Sequence, residues 1–228
     1  MFNQPDKERS RTRRDRTGDY GLVLLSIVLT IIAAAAVGRS QWGRLFVSLL
    51  QGATLLLTLR VSGAKPRARL VSSALVVLGL VVAAITVVLG DTKTSYAIAA
   101  AISGLLVIGA PVAIVRGVRG DLEVTVHTVL AALSIYLLIG LFFAFAYGMT
   151  AAIVPGPFFA SGIDGSLPDH LYFSYSTLAS VGFGDLTASK DIGRMTSVLE
   201  ALIGQLYLVT VVALLVGNLR GRRNNGGN

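Results

Sequence analysis

In a chain otherwise crowded with alanine, valine and leucine, residues 176–186 read STLASVGFGDL. Gly182 and Gly184 alternate with Val181 and Phe183, and Asp185 follows at once. In an ordinary strand successive carbonyls point opposite ways; glycine permits positive φ values that let consecutive carbonyls face one side. A line of carbonyl oxygens can replace the hydration shell of a cation, while the side chains of Val181 and Phe183 pack away from it. One chain supplies only one wall of such a site. This chemistry therefore requires several copies about a shared axis.

Other chemistries are poorly provided for. The chain has no cysteine, which excludes disulfides and thiolate metal sites. Only His127 and His170 carry imidazole, too few for a histidine-based metal centre. No nucleophile–base constellation is visible, so the reading is not an enzyme and needs no cofactor. The net charge of +8 could point to nucleic acid, but the basic residues sit in short segments between apolar blocks, with no folded module or aromatic interleaving. No nucleic-acid partner is expected.

The elements that must position the glycines follow from the apolar blocks. The chain is 54% hydrophobic and only 14% charged, against about a quarter charged in a soluble domain. Several blocks reach the roughly 20 residues that a helix needs to cross about 30 Å of hydrocarbon. Six spans can be drawn, at 20–38, 42–61, 70–90, 96–115, 126–149 and 195–219. Each is predicted to be an α-helix, because lipid offers the backbone no hydrogen-bond partner. The fold class is thus an all-α membrane protein. The first apolar run is longer than the usual signal core, so it reads as a retained helix. The basic opening DKERSRTRRDR reads as a disordered tail near anionic headgroups.

Orientation follows from lysine and arginine. With both termini in the cytoplasm, 15 of the 20 basic residues lie inside, and Arg39, Arg44, Lys93, Lys190 and Arg194 lie outside. The glycine stretch then hangs from the extracellular side. Its connection between the last two spans is much the longest. It opens on a Gly/Pro-rich loop, and PDHLYFSYSTLAS could start a short helix with Pro168 near its first turn and Asp169 at its positive end. That helix is too short to span, so a re-entrant hairpin is expected, shielded by protein or water.

TLASVGFGDL resembles the selectivity filter of potassium channels, whose usual form is T-V-G-Y-G-D. The resemblance implies that the carbonyls of Ser180, Val181, Gly182, Phe183 and Gly184 bind K⁺, the permeant ion, with Asp185 at the outer mouth. Serine stands where threonine is usual and keeps the hydroxyl that serves the innermost ion site. Phenylalanine replaces tyrosine and loses a phenolic hydrogen bond to the pore helix. Gly193 and Arg194 follow at the spacing seen in simple bacterial potassium channels. Gly204 falls where those channels carry the inner-helix glycine linked to gate opening. Tyr172 and Phe173 match the paired aromatics of the pore helix that cuff the filter, and Ala188, in place of proline, is expected to loosen the turn. The resemblance covers 126–219 and implies a homotetramer in the lipid bilayer of the plasma membrane. It divides the chain into a cytoplasmic N-tail (1–19), a four-helix region (20–118), a pore domain (126–219) and a cytoplasmic C-tail (220–228).

Within the last span, Glu200 and Gln205 interrupt the apolar run. An ionisable group in a membrane segment costs roughly 2.5 kcal/mol or more at mid-bilayer, so it should face protein or water. Ala201, Gln205, Leu208 and Val212 share one helical face, assigned to the cavity. Glu200, one step round, is expected to reach the pore helix near Ser176 or Thr177 and to steady the filter. Asp164, Asp169, Asp185 and Asp191 either raise the cation concentration at the mouth or form a solvated acidic loop.

The fourth span has no charge, and Pro111 is expected to kink or break it, so it cannot act as an arginine-bearing voltage sensor. The first four helices are a lipid-facing scaffold or sense something else, and ligand gating would need an unidentified regulatory subunit. His170, near the outer mouth, is either a proton sensor around pH 6.5 or an ordinary surface histidine. Alongside the potassium-selective channel stand a weakly selective cation channel and a non-conducting membrane scaffold.

Overall fold

A computed structural model describes residues 5–37, 41–62, 66–89, 93–118 and 126–225. The described residues form seven helices and no strand: α1 (Pro5–Val37), α2 (Gln41–Val61), α3 (Pro66–Leu89), α4 (Lys93–Val118), α5 (Val126–Ile153), α6 (Leu167–Leu178) and α7 (Asp191–Asn225). Six of them coincide with the six apolar spans to within a few residues at their ends or extend beyond them, and α6 is the short helix expected before the glycines. Within α4 and α5, Tyr96–Val115 and Thr128–Ile153 are long and apolar enough to cross a membrane, while Tyr20–Ala36 and Leu45–Val61 are shorter apolar helices.

Several boundaries differ from those read off the sequence. The basic opening, expected to be disordered, is the first part of α1, because it holds no helix breaker between Pro5 and Gly18. Helix α7 likewise runs beyond 219 to Asn225. Pro111 lies inside α4 without ending it. Its neighbours Ala110, Ala113 and Ile114 are buried, and packing of this kind lets a membrane helix absorb the lost backbone donor. The expected span ends Gly38 and Gly90, together with Arg39, Lys65 and Arg119, lie outside the described residues, as do 1–4 and 226–228.

Helix α5 is the hub. It packs against α4, α1, α6 and α7, while α2 joins α1, α3 and α4. The main core gathers Val23 and Ile27 of α1, Leu55 of α2, Leu106 and Ile114 of α4, and Leu138 and Leu141 of α5. Lipid is as apolar as these side chains, so close packing, rather than flight from water, holds such helices together. Buried hydroxyls are met mainly inside their own helices here, Thr30 donating to the Ser26 carbonyl at 2.8 Å and Thr58 to the Thr54 carbonyl at 2.7 Å, while Thr30 and Thr54 also meet across α1 and α2 at 3.4 Å. A second, aromatic cluster of Phe143, Tyr147, Phe158, Phe159 and Phe173 fills the space between α5, the following loop and α6. That cluster seats the short helix.

Candidate functional site

Helix α6 starts where its sequence says it should. Ser166 is the N-cap, with proline in the first turn. Asp169 Oδ2 accepts hydrogen bonds from the Ser166 backbone N–H at 2.6 Å and its hydroxyl at 2.7 Å. The carboxylate thus satisfies an otherwise orphan end and sits at the positive pole of the helix.

Beyond Leu178 the chain reverses and runs back alongside α6. Ser180 N–H donates to the Thr177 carbonyl at 2.9 Å, and the Ser176 carbonyl accepts from Val181 N–H at 2.9 Å and Gly182 N–H at 3.2 Å. Phe183 N–H donates to Ser176 Oγ at 3.3 Å. Ser176 and Thr177 therefore support the glycine stretch, Ser176 from both its backbone and its hydroxyl.

The backbone of that stretch alternates in hand. Ser180 has φ +54°, Gly182 φ +59° and Gly184 φ +82°, while Val181 and Phe183 between them do not have positive φ. Alternation of left- and right-handed residues allows consecutive carbonyls to face one side of the chain, which a regular strand does not. The sequence pointed to the two glycines but not to Ser180, the only described non-glycine residue with positive φ. Left-handed serine carries a conformational cost of order 1–3 kcal/mol that the surroundings must offset. The hydrogen bond to Thr177 and the contact below are part of that offset.

Tyr172 and Phe173, expected to act as a pair, point in different directions from α6. Tyr172 is exposed, stacks on Phe183 with ring centroids 5.6 Å apart, and donates to Asp185 Oδ1 at 3.1 Å. Phe173 is buried in the aromatic cluster, 4.9 Å from Tyr147. A helix sends consecutive side chains about 100° apart, and here only Tyr172 of the two meets the glycine stretch. Tyr172 supplies from α6 a phenol linking to the stretch, where Phe183 has none of its own.

Behind α6 lies a set of polar groups in an apolar interior. Glu200, Ser174 and Tyr147 are all fully buried. Glu200 reaches α6 as expected, but at Ser174 rather than at Ser176 or Thr177. Its carboxyl lies between Tyr147 Oη, 2.5 Å from Oε2, and Ser174 Oγ, 2.5 Å from Oε1. Ser174 lies on the face that α6 turns inward, whereas Ser176 faces the glycine stretch. Ser174 Oγ is also 2.7 Å from the Gly140 carbonyl oxygen of α5. Two further tyrosines tie the helices together: Tyr175 donates to the Leu137 carbonyl at 2.7 Å and Tyr136 to the Leu178 carbonyl at 3.3 Å. These contacts were not visible in the sequence, although hydroxyl-bearing residues recurring in apolar spans were a signal of buried polar pairing.

Helix α7 crosses the end of α6 at Gly204, where an added Cβ would press on the Leu178 carbonyl. One residue on, Gln205 is exposed and its Nε2 donates to Ser180 Oγ at 2.7 Å. Ala201 is half-buried and Leu208 exposed; the Val212 side chain lies outside the described residues.

The return loop is pinned rather than loose. Ala188, expected to loosen the turn, is buried and bridged to Phe159. Ala160 N–H donates to the Thr187 carbonyl at 2.9 Å and Ser189 N–H to the Phe158 carbonyl at 2.8 Å. His170 is neither an ordinary surface histidine nor tuned near pH 6.5. It is fully buried, stacked 5.5 Å from Phe159, and burial pushes its pKa down to about 4; the Asp164 backbone and the Asp169 and Asp164 charges oppose this only in part. The acids also divide. Asp164 pairs with Lys93 of α4 at 3.1 Å, and Asp169 is spent on the cap, leaving exposed Asp185 and Asp191 nearest the stretch.

No curated protein and no solved structure matches the chain. Residues 124–220, which take in α5, α6, the glycine stretch and most of α7, match the family model described as an ion channel, and this supports a passive ion channel of the membrane.

Proposed function

We propose that the chain is one subunit of a homotetrameric, potassium-selective channel of the plasma membrane, with both termini cytoplasmic and α6 re-entering from the outer side. The observation that carries this reading is the alternation of φ at Ser180, Gly182 and Gly184. Four copies about an axis would surround a dehydrated K⁺ with rings of carbonyl oxygens from Ser180 through Gly184. A single copy offers one wall.

The apolar surface left bare on one chain is in keeping with assembly. Val181 is 56% exposed and Phe183 65%, and Leu202, Leu206 and Val209 of α7 are exposed by more than half. Side chains of this size are normally covered by lipid or by neighbouring subunits. Helix α6 directs its negative end toward the inner side of the stretch, favouring a cation there. Six of the seven helices would cross the bilayer, and the first four would form a scaffold around α5.

A weakly selective cation channel is favoured by one contact. Gln205 Nε2 occupies a lone pair of the Ser180 hydroxyl that would otherwise serve the innermost ion. The test is flux from purified protein in liposomes. Potassium uptake blocked by barium, and little sodium uptake, supports the main reading; equal uptake supports the second, and no cation flux rejects both.

A further inference from the structure

We infer that Glu200 is held as the neutral carboxylic acid, and that its proton completes a hydrogen-bond chain clamping α5, α6 and α7 together behind the glycine stretch. The argument is a count of hydrogens. Ser174 Oγ carries one, yet it lies within hydrogen-bond distance of two oxygens, the Gly140 carbonyl at 2.7 Å and Glu200 Oε1 at 2.5 Å. The Gly140 carbonyl has no proton to give, so the serine hydrogen goes there. The remaining contact then has a hydrogen only if Glu200 supplies it. Tyr147, whose hydroxyl lies against Oε2, donates into the other carboxyl oxygen.

The chain runs in one direction: Tyr147 O–H to Glu200 Oε2, Glu200 Oε1–H to Ser174 Oγ, and Ser174 O–H to the Gly140 carbonyl. Every group is satisfied, as a fully buried polar set requires. An ionised Glu200 would leave two acceptors for one serine hydrogen, and one of the two helix contacts would be lost. The surroundings agree with the neutral form. The titratable groups facing Glu200 are Tyr147 and Tyr136 of α5 and Tyr175 of α6, all uncharged donors. Among the described residues the groups bonded to Glu200 are the hydroxyls of Ser174 and Tyr147, and no basic side chain is paired with it.

Glu200 is therefore a positioning residue. It acts through Ser174, four residues before Leu178, where α6 ends and the chain reverses. The role rests on the channel reading; the protonation does not, so the two fail separately. The experiment is infrared difference spectroscopy on the full chain in lipid at neutral pH, wild type minus Glu200→Gln, in H₂O and D₂O. A carboxylic-acid carbonyl band that shifts on deuteration and is missing from the variant is expected. Carboxylate bands in its place would overturn the inference. Thermal melting gives a second readout. In Glu200→Gln the amide N–H replaces the acid O–H and the amide oxygen still accepts from Tyr147, so the melting temperature should hold, whereas Glu200→Val should lower it. Equal loss in both variants would also overturn the clamp.

Discussion

Replacing Gly204 by alanine should damage the site without touching a single residue of the glycine stretch. A Cβ there would stand 3.1 Å from the Leu178 carbonyl carbon and 3.0 Å from Leu178 Cδ1, and nearer still to the carbonyl oxygen. Carbon and carbonyl oxygen ordinarily meet at about 3.3–3.6 Å. A side-chain tip could swing aside, but the oxygen belongs to the last residue of α6, held by Tyr136 Oη at 3.3 Å and followed two residues later by left-handed Ser180. Relief needs a backbone displacement on the ångström scale, and overpacking of this kind costs about 1–3 kcal/mol. For a chain of this length each kcal/mol corresponds to about 2–4 °C in melting temperature, so a fall of several degrees is expected per clash. Thermal melting in detergent, followed by size-exclusion chromatography, reads the stability; cation flux in liposomes reads the stretch. A Gly204→Ala protein with wild-type melting and wild-type potassium-over-sodium uptake would refute the reasoning, because it would mean α7 does not approach α6 this closely.

Three further outcomes follow from named contacts. Tyr172→Phe keeps the stack on Phe183 but removes the hydrogen bond to Asp185, so single-channel open times should shorten; unchanged open times would show that this bond does not hold the mouth. Gln205→Leu frees the Ser180 hydroxyl, and a neutral hydrogen bond is worth about 1 kcal/mol, so barium affinity from the inner side should rise roughly fivefold; equal block would argue against competition for that oxygen. His170 is neutral in the fold because burial holds its pKa near 4, below the usual 6.5. Between those values the unfolded chain binds the extra proton, so stability is complete above about pH 6.5 and falls as pH drops toward 4. Melting against pH should show this limb, and His170→Phe should flatten it.

How much of this was legible beforehand depended on the length scale of the cause. Helices were readable because long apolar runs without charge favour them, and the seat of α6 was readable because Pro168 and Asp169 mark a helix start by chemistry local to one turn. The ends of α1 and α7 were not, since nothing in the basic segments stops a helix once packing has started it. The glycine stretch was legible where glycine is required and silent at Ser180, whose left-handed backbone is imposed by Thr177 and Gln205 from other turns of the fold. Glu200 was recognisable as a buried acid needing a partner. Which partner was a question of helix rotation, and sequence spacing alone does not fix whether Ser174 or Ser176 faces α7. His170 shows the same limit: its burial comes from Phe159, eleven positions away in a loop whose path the sequence does not dictate.

The central claim, that aligned peptide oxygens select potassium, is most directly tested by a reversal potential. Purified protein in a planar bilayer, with potassium on one side and sodium on the other, should give a current that reverses far toward the potassium equilibrium potential. A current reversing near zero, or no cation current from correctly assembled protein, would contradict it.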